Sequence, residues 1–145
     1  MPKSAEDALS LDRQLCFAIY STSLAFGRRY KPLLDGLGLT YPQYLVMLVL
    51  WEEEGLVVKD IGERLLLDSA TLTPLLKRLE AAALITRERD VEDERKVRIR
   101  LTEAGRALRE EAQGLPSAMN CVIGLSPEEM ETLQAALLRV RDALT

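Results

Sequence analysis

"GLVVKDIGERLLLDSATLTPLLKRLEAAALI", residues 55–85, decides how this chain is read. Its apolar positions recur at helical spacing twice, near residues 58–66 and again from about Ser69 to Ala83, with a break at Leu67–Asp68. Two helices joined by so short a break form a helix-turn-helix. Pro74 complicates the second helix. With Ser69 as N-cap, a proline five residues in removes one backbone hydrogen bond, so either the helix starts nearer Thr71 or its first turn is distorted.

Downstream, "LITRERD" and "KVRIRLT" flank the charged connector "VEDER". In the second of them Val97, Ile99 and Leu101 alternate with Lys96, Arg98 and Arg100, the period of a half-buried strand. Two short strands around a charged loop predict a β-hairpin. Thr102 and "EAGRALREEA" then restart a helix, broken or bent by "GLP" at 114–116. A last helix opens with Ser126 as N-cap and Pro127 at its first position, carrying Met130, Leu133, Leu137, Val140 and Leu144 on one side. Upstream, Leu11, Leu15, Ile19 and Phe26 mark one long helix over residues 11–35, with Ser10 as its expected cap. "DGLGLTYP" ends it, and a helix beginning near Pro42 runs through "QYLVMLVLWEEE", apolar on nearly every face and so expected to be buried at the centre.

A helix-turn-helix followed by a hairpin and flanked by long helices is the plan of a winged helix-turn-helix, a mainly α fold with a small β-hairpin wing. In such folds the second helix enters the DNA major groove with its first residues at the base edges. Here these are Ser69, Ala70, Thr71 and Thr73, whose hydroxyls donate or accept and whose methyls can touch thymine. Lys77 and Arg78, a turn later, suit phosphates. The bland alternative is a cap and a solvated face. Charge needs care, because the formal net charge is −4 and DNA binders are commonly basic. Residues 59–109 hold 12 lysines and arginines against 10 acidic residues, and residues 95–109 hold six against one. The asymmetry is modest and points toward the wing. Arg95 is the sharpest candidate, because an arginine at a hairpin tip can enter a narrow minor groove, with Asp93 two residues earlier to orient its guanidinium. A solvated, charge-rich turn is the other reading.

Composition bounds the rest. A chain of 145 residues, 48% hydrophobic and 29% charged, is the size of one domain with a real core. No apolar run approaches the roughly 20 residues of a membrane span, so no membrane partner is expected. "MPKSAEDALSLDRQL" turns acidic where a signal peptide would carry its apolar core, which gives a cytoplasmic expectation. There is no histidine and only Cys16 and Cys121, which excludes the common Cys/His zinc patterns and histidine acid–base catalysis. Neither metal nor cofactor is expected. Cys16, in the apolar run "LCFAIY", reads first as buried packing, with a reactive thiol as the alternative.

The run "DIGERLLLDSATLTPLLKRLEAAALITRERDVEDERKVRIRLTEAGRAL" resembles the multiple antibiotic resistance regulators, the MarR family of dimeric winged-helix transcription factors, whose D-x-R wing motif stands here as Asp93-Glu94-Arg95. "LDRQLCFAIYSTSLAFGRRYKPLLDGLGLTYPQYLVMLVLWE" is similar to the organic hydroperoxide resistance (OhrR) subfamily of repressors. The likeness covers about residues 10–110. It implies a single MarR-type domain over residues 1–145, dimerising through helices at about 10–36 and 103–145, with about 42–102 as the DNA-binding region. It also implies a homodimer on double-stranded operator DNA, with organic hydroperoxides as inducers and no enzymatic activity. By the same resemblance Cys16 is the redox-sensing thiol, hydrogen-bonded by Tyr30 and Tyr41 of the partner subunit. Cys121 stands where two-cysteine members carry a resolving thiol, and a filler residue before a helix is the alternative.

Helix geometry agrees with the partner assignment. Tyr20 is one turn from Cys16 on nearly the same face and is a further candidate contact, whereas Tyr30 is 14 residues on, about 21 Å along a continuous helix. With Ser10 as cap, Cys16 would lie in the second turn, where the helix dipole is fading and tyrosine donors matter more. The apolar neighbours Leu15, Phe17, Ile19 and Phe26 favour an organic peroxide. Three rivals remain at this level. One is a regulator controlled by a small phenolic or lipophilic ligand with inert cysteines. Another is a thiol peroxidase, which would leave the helix-turn-helix without a task, and the last is a zinc site built from four cysteines of a dimer.

Overall fold

The computed structural model describes residues 8–145; the first seven residues of the acidic N-terminal stretch lie outside them. The chain forms two compact units, residues 1–112 and 113–145.

In the first unit a 3-10 turn, Leu11–Arg13, precedes α1, Leu15–Asp35. The expectation that Ser10 caps a helix starting at residue 11 is wrong. Ser10 makes no side-chain cap bond, and Gln14 directs its side-chain Nε2 back to the carbonyls of Ala8 (2.7 Å) and Ser10 (3.0 Å). That backward pair holds the 3-10 turn, so the α-helix begins four residues later and Cys16 becomes its second residue. Pro32 stands inside the last turn of α1, where one missing N–H costs little helix. Leu34 is the only buried residue of α1, and Leu15, Phe17, Ile19, Leu24 and Phe26 are all solvent-facing in the single chain.

α2, Tyr41–Glu52, is the central helix. Thr40 and Gln43 exchange side-chain and backbone bonds in a capping box, Pro42 sits in the first turn, and Gln43, Tyr44, Val46, Met47, Val49 and Leu50 are buried. α3, Val58–Leu65, and α4, Ser69–Ala81, pack on it through Ile61, Leu72, Leu76 and Leu79, each almost fully buried. The strands β1, Ile85–Arg89, and β2, Val97–Leu101, pair antiparallel with Ile85 opposite Leu101 and Arg89 opposite Val97. A short addition escaped the sequence reading. Residues 55–57 lie along β2, with Gly55 N–H donating to the Ile99 carbonyl at 3.0 Å and Ile99 N–H to the Leu56 carbonyl at 2.9 Å, too few residues to show a period.

The base of the hairpin is tied to α5, Glu103–Ala112, by close packing. The Thr102 hydroxyl donates to the Ala83 carbonyl at 2.6 Å and accepts from Gly105 N–H at 3.0 Å. A Cβ on Gly105 would lie 2.2 Å from the Leu84 carbonyl oxygen, which is backbone and cannot yield without moving the strand. Gly105→Ala is therefore expected to lower stability by roughly 1–3 kcal/mol, seen as a Tm fall of several degrees. An unchanged Tm would show that the Leu84 backbone yields to a methyl group on α5 at no cost.

Glu54 fastens the same region: its Oε1 accepts from Leu101 N–H (3.1 Å) and Arg106 Nη2 (2.6 Å), and its Oε2 from Arg106 Nε (3.2 Å). The Arg106 hydrogen bond holds the Glu54 carboxyl below its ordinary value. A lowered carboxyl stabilises the fold fully above the unfolded glutamate range and loses that contribution as pH falls through its folded value. The acid limb of a Tm-against-pH curve is thus expected to flatten in Glu54→Gln, and parallel curves would remove Glu54 from the acid response.

The second unit holds α6, Leu115–Ile123, and α7, Pro127–Leu144. Ser126 caps α7 in a capping box with Glu129, and Gly124 closes α6 at φ 72°. Leu133, Leu137 and Leu144 on α7 are exposed. No helix among the described residues is long and apolar enough to cross a membrane.

Candidate functional site

The helix-turn-helix turns on two residues. Leu66 adopts a left-handed conformation (φ 58°) that ends α3, and Asp68 accepts the Thr71 N–H at 2.7 Å to start α4. Asp68, not Ser69, is the N-cap, and its bond to the Thr71 backbone holds its carboxyl below the ordinary range. α4 therefore begins at Ser69 despite Pro74, whose ring faces solvent and withholds an N–H from the Ala70 carbonyl one turn back. Gly62 permits the tight crossing, because a Cβ there would meet the Leu67 carbonyl oxygen at 2.7 Å.

With Leu72, Leu75, Leu76 and Leu79 buried, the opposite face of α4 is presented outward. Ser69, Ala70, Thr71, Lys77 and Arg78 are exposed there; Thr73 is half-buried, and its hydroxyl donates to the Ser69 carbonyl at 2.7 Å. Its remaining lone pairs leave it an acceptor.

The wing loop is held by its own polar groups. Asp90 N–H donates to the Lys96 carbonyl (2.8 Å) and Lys96 N–H to the Asp93 carbonyl (2.9 Å). Asp93 takes Arg95 in a fork, Nε to Oδ1 at 3.1 Å and Nη2 to Oδ2 at 3.4 Å, and also accepts the Arg95 N–H at 3.1 Å. These bonds keep the Asp93 carboxyl ionised, while the Arg95 side chain stays 91% exposed. At the base, Arg98 bridges Asp90 (Nη2–Oδ2 2.8 Å) and the Gly55 carbonyl (Nη1, 3.0 Å), a clamp the sequence reading missed because Gly55 is 43 residues away.

The thiols lie elsewhere. Both are free and exposed. Cys16 is in the first turn of α1, where unpaired N–H groups and the helix dipole favour a negative charge. Cys121 is in α6 of the second unit. Tyr20, one turn after Cys16, is exposed. Tyr30 and Tyr41 meet each other instead, with ring centroids 4.8 Å apart, across the α1–α2 contact. Tyr44, absent from the sequence reading, completes the cluster at 6.1 Å from Tyr30 and 6.2 Å from Tyr41. Its i, i+3 spacing from Tyr41 was the available signal. Burial raises the pKa of all three phenols, and for Tyr30 the neighbouring phenols add to it, so they remain protonated donors at neutral pH. Among the described residues no cluster of Cys, Asp and Glu has the makings of a metal site.

The chain matches the family described as transcriptional regulator SarA/Rot over residues 28–112. It is 55% identical over 139 residues to the HTH-type transcriptional regulator TtmR of Methylorubrum extorquens (strain PA1), covering 96% of this chain and 71% of that protein. It is 49% identical over 138 residues to the organic hydroperoxide resistance transcriptional regulator of Bacillus subtilis (strain 168), covering 95% and 94%. Among solved structures, reduced AbfR bound to DNA superposes with TM-score 0.81 at 36% identity, covering 97% of each chain. Disulfide-formed AbfR superposes with TM-score 0.62 at 37% identity, covering 93% of this chain and 95% of that one.

Proposed function

Because the chain belongs to the MarR-type winged-helix transcriptional regulators that include the SarA/Rot and organic hydroperoxide resistance proteins, we propose that it is a cytoplasmic, peroxide-sensing repressor. It acts as a homodimer, binds operator DNA while Cys16 is reduced, and lets go when an organic hydroperoxide oxidises that thiol. The observation that carries this reading is the exposed Cys16 in the first turn of α1, in the same molecule as a Tyr30–Tyr41 phenol pair that its own sulfur cannot reach. In a dimer, Tyr30 and Tyr41 of the partner subunit would donate to the thiolate. The apolar faces left open on α1 and α7 support a second copy of the chain.

The chemistry follows from the thiolate. Cys16 Sγ attacks one peroxide oxygen; the S–O bond forms, the O–O bond breaks, and the alcohol departs after taking up a proton. The sulfenic acid then condenses with the Cys121 thiol of the other subunit: an S–S bond forms, the S–O bond breaks, and the hydroxyl leaves as water with the thiol's proton. Two equivalents of a cellular thiol reverse the step. On the DNA side, Ser69, Ala70, Thr71 and Thr73 meet base edges, Lys77 and Arg78 meet phosphates, and Arg95, oriented by Asp93, enters the minor groove. The two recognition helices must sit about 34 Å apart to fit both half-sites, and a bond across the dimer that alters this spacing empties the operator.

The test is fluorescence anisotropy on operator-type DNA before and after cumene hydroperoxide, with a non-reducing gel of the same samples. Release together with a dimer-sized band that needs both cysteines is expected. Unchanged binding by the oxidised protein would leave a regulator controlled by a small ligand as the better account.

A further inference from the structure

Tyr44 has an unusual place in the aromatic cluster. It is 4% exposed, whereas Tyr41, one turn earlier on α2, is 41% exposed. Tyr44 is thus too enclosed to meet a sulfur from another subunit, yet its ring touches both phenols that are open enough to do so, at 6.1 and 6.2 Å. On its other side it meets Trp51 edge-on, centroids 6.4 Å apart and planes at 65°. Trp51 is itself fixed, because its Nε1–H donates to the Gly105 carbonyl at 2.9 Å and Gly105 is pressed against the Leu84 backbone. Tyr41, Tyr44 and Trp51 follow one face of α2 at i, i+3 and i+10.

We propose that Tyr44 is a positioning residue for the thiol sensor: backed by Trp51, its ring sets where the Tyr30 and Tyr41 hydroxyls lie. The inference rests on the reading that these hydroxyls hold the Cys16 thiolate of the other subunit. Hydrogen bonds weaken steeply with distance and angle, so a small retreat of either ring into the space left by Tyr44 weakens both donations. Tyr44 touches no reacting atom and acts only through its two neighbours, which predicts that its ring matters and its hydroxyl does not.

The readout is the rate at which Cys16 of the full-length reduced protein, carrying Cys121→Ser, is alkylated by monobromobimane at neutral pH. Tyr30→Phe and Tyr41→Phe serve as references. Tyr44→Leu is expected to slow alkylation about tenfold, because the thiolate is the alkylated species and loses its phenol donors, and Tyr44→Phe to restore the rate. Tyr44→Met, whose unbranched chain adapts to an irregular gap, guards against a folding defect, and the emission of Trp51, the only tryptophan, together with Tm reports on the core. Folded Tyr44→Leu and Tyr44→Met proteins that alkylate at the parent rate, or a Tyr44→Phe protein as slow as Tyr44→Leu, overturn the proposal. If Tyr30→Phe and Tyr41→Phe also leave the rate unchanged, the phenol–thiolate reading itself fails.

Discussion

Cys16→Ser is expected to keep its operator at peroxide concentrations that strip the unaltered protein. The substitution exchanges sulfur for oxygen at one position in the first turn of α1, and a serine oxygen can still accept from the partner's phenols, so reduced-state binding should stay within about twofold of the parent. What disappears is the nucleophile, because a neutral serine hydroxyl does not attack a peroxide oxygen. The difference is large, since emptying an operator from nearly full to nearly bare takes about a 10⁴-fold change between the two states, and every part of it begins at one sulfur. Cys121→Ser should behave differently. Its Cys16 still reaches the sulfenic acid but finds no partner, so the dimer-sized band vanishes and prolonged exposure carries the sulfur on to the sulfinic acid, which cellular thiols do not reverse. The measurement is DNA occupancy by anisotropy against cumene hydroperoxide, with intact mass of Cys16 at each point. Release of DNA by Cys16→Ser would remove the sensing role from this residue outright.

The DNA-facing half of the molecule was legible because each element carries its own period. Leu72, Leu75, Leu76 and Leu79 mark the buried stripe of α4, and Val97, Ile99 and Leu101 the buried side of β2. Capping was less legible. Ser10 and Ser69 both look like N-caps in sequence, yet Gln14 reaches backward and Asp68 reaches forward, and neither choice follows from residue type alone. The consequence is chemical as well as structural: starting α1 at Leu15 brings Cys16 from an expected second turn into the first, where the dipole acts on it most strongly. Contacts between distant segments were not legible at all. Arg98 with Gly55, Trp51 with Gly105 and Tyr30 with Tyr44 join residues whose separation in sequence carries no period. The proposed meeting of thiol and phenol would join two chains and has no trace in the spacing of one, except the negative one that a continuous helix keeps Cys16 and Tyr30 about 21 Å apart.

On the DNA side the largest loss is expected from Arg95→Ala, a weakening of operator binding by about 10- to 100-fold with a salt slope lower by about one. The reason lies in how the wing is built. Asp90, Arg98 and the Gly55 carbonyl fix the hairpin where it enters the loop, the Asp93–Lys96 backbone bond closes its tip, and the Asp93 fork holds the one guanidinium at that tip outward. An arginine ordered before binding gives up little side-chain freedom on entering a narrow minor groove, where the negative potential is strongest. The fork is also a partial neutralisation, so removing it has two opposing effects. Asp93→Ala frees the charge of Arg95 and lets it wander, and orientation should outweigh charge: its affinity is expected between those of the parent and Arg95→Ala, with the parent's salt slope retained. Lys77→Ala gives the control, a similar loss on every DNA sequence, as a phosphate contact requires. Binding titrations at several salt concentrations, on operator-type and unrelated duplexes, separate these outcomes. Operator affinity in Arg95→Ala within about twofold of the parent across the salt series would mean that the wing tip stays off the DNA, leaving recognition to α4 alone.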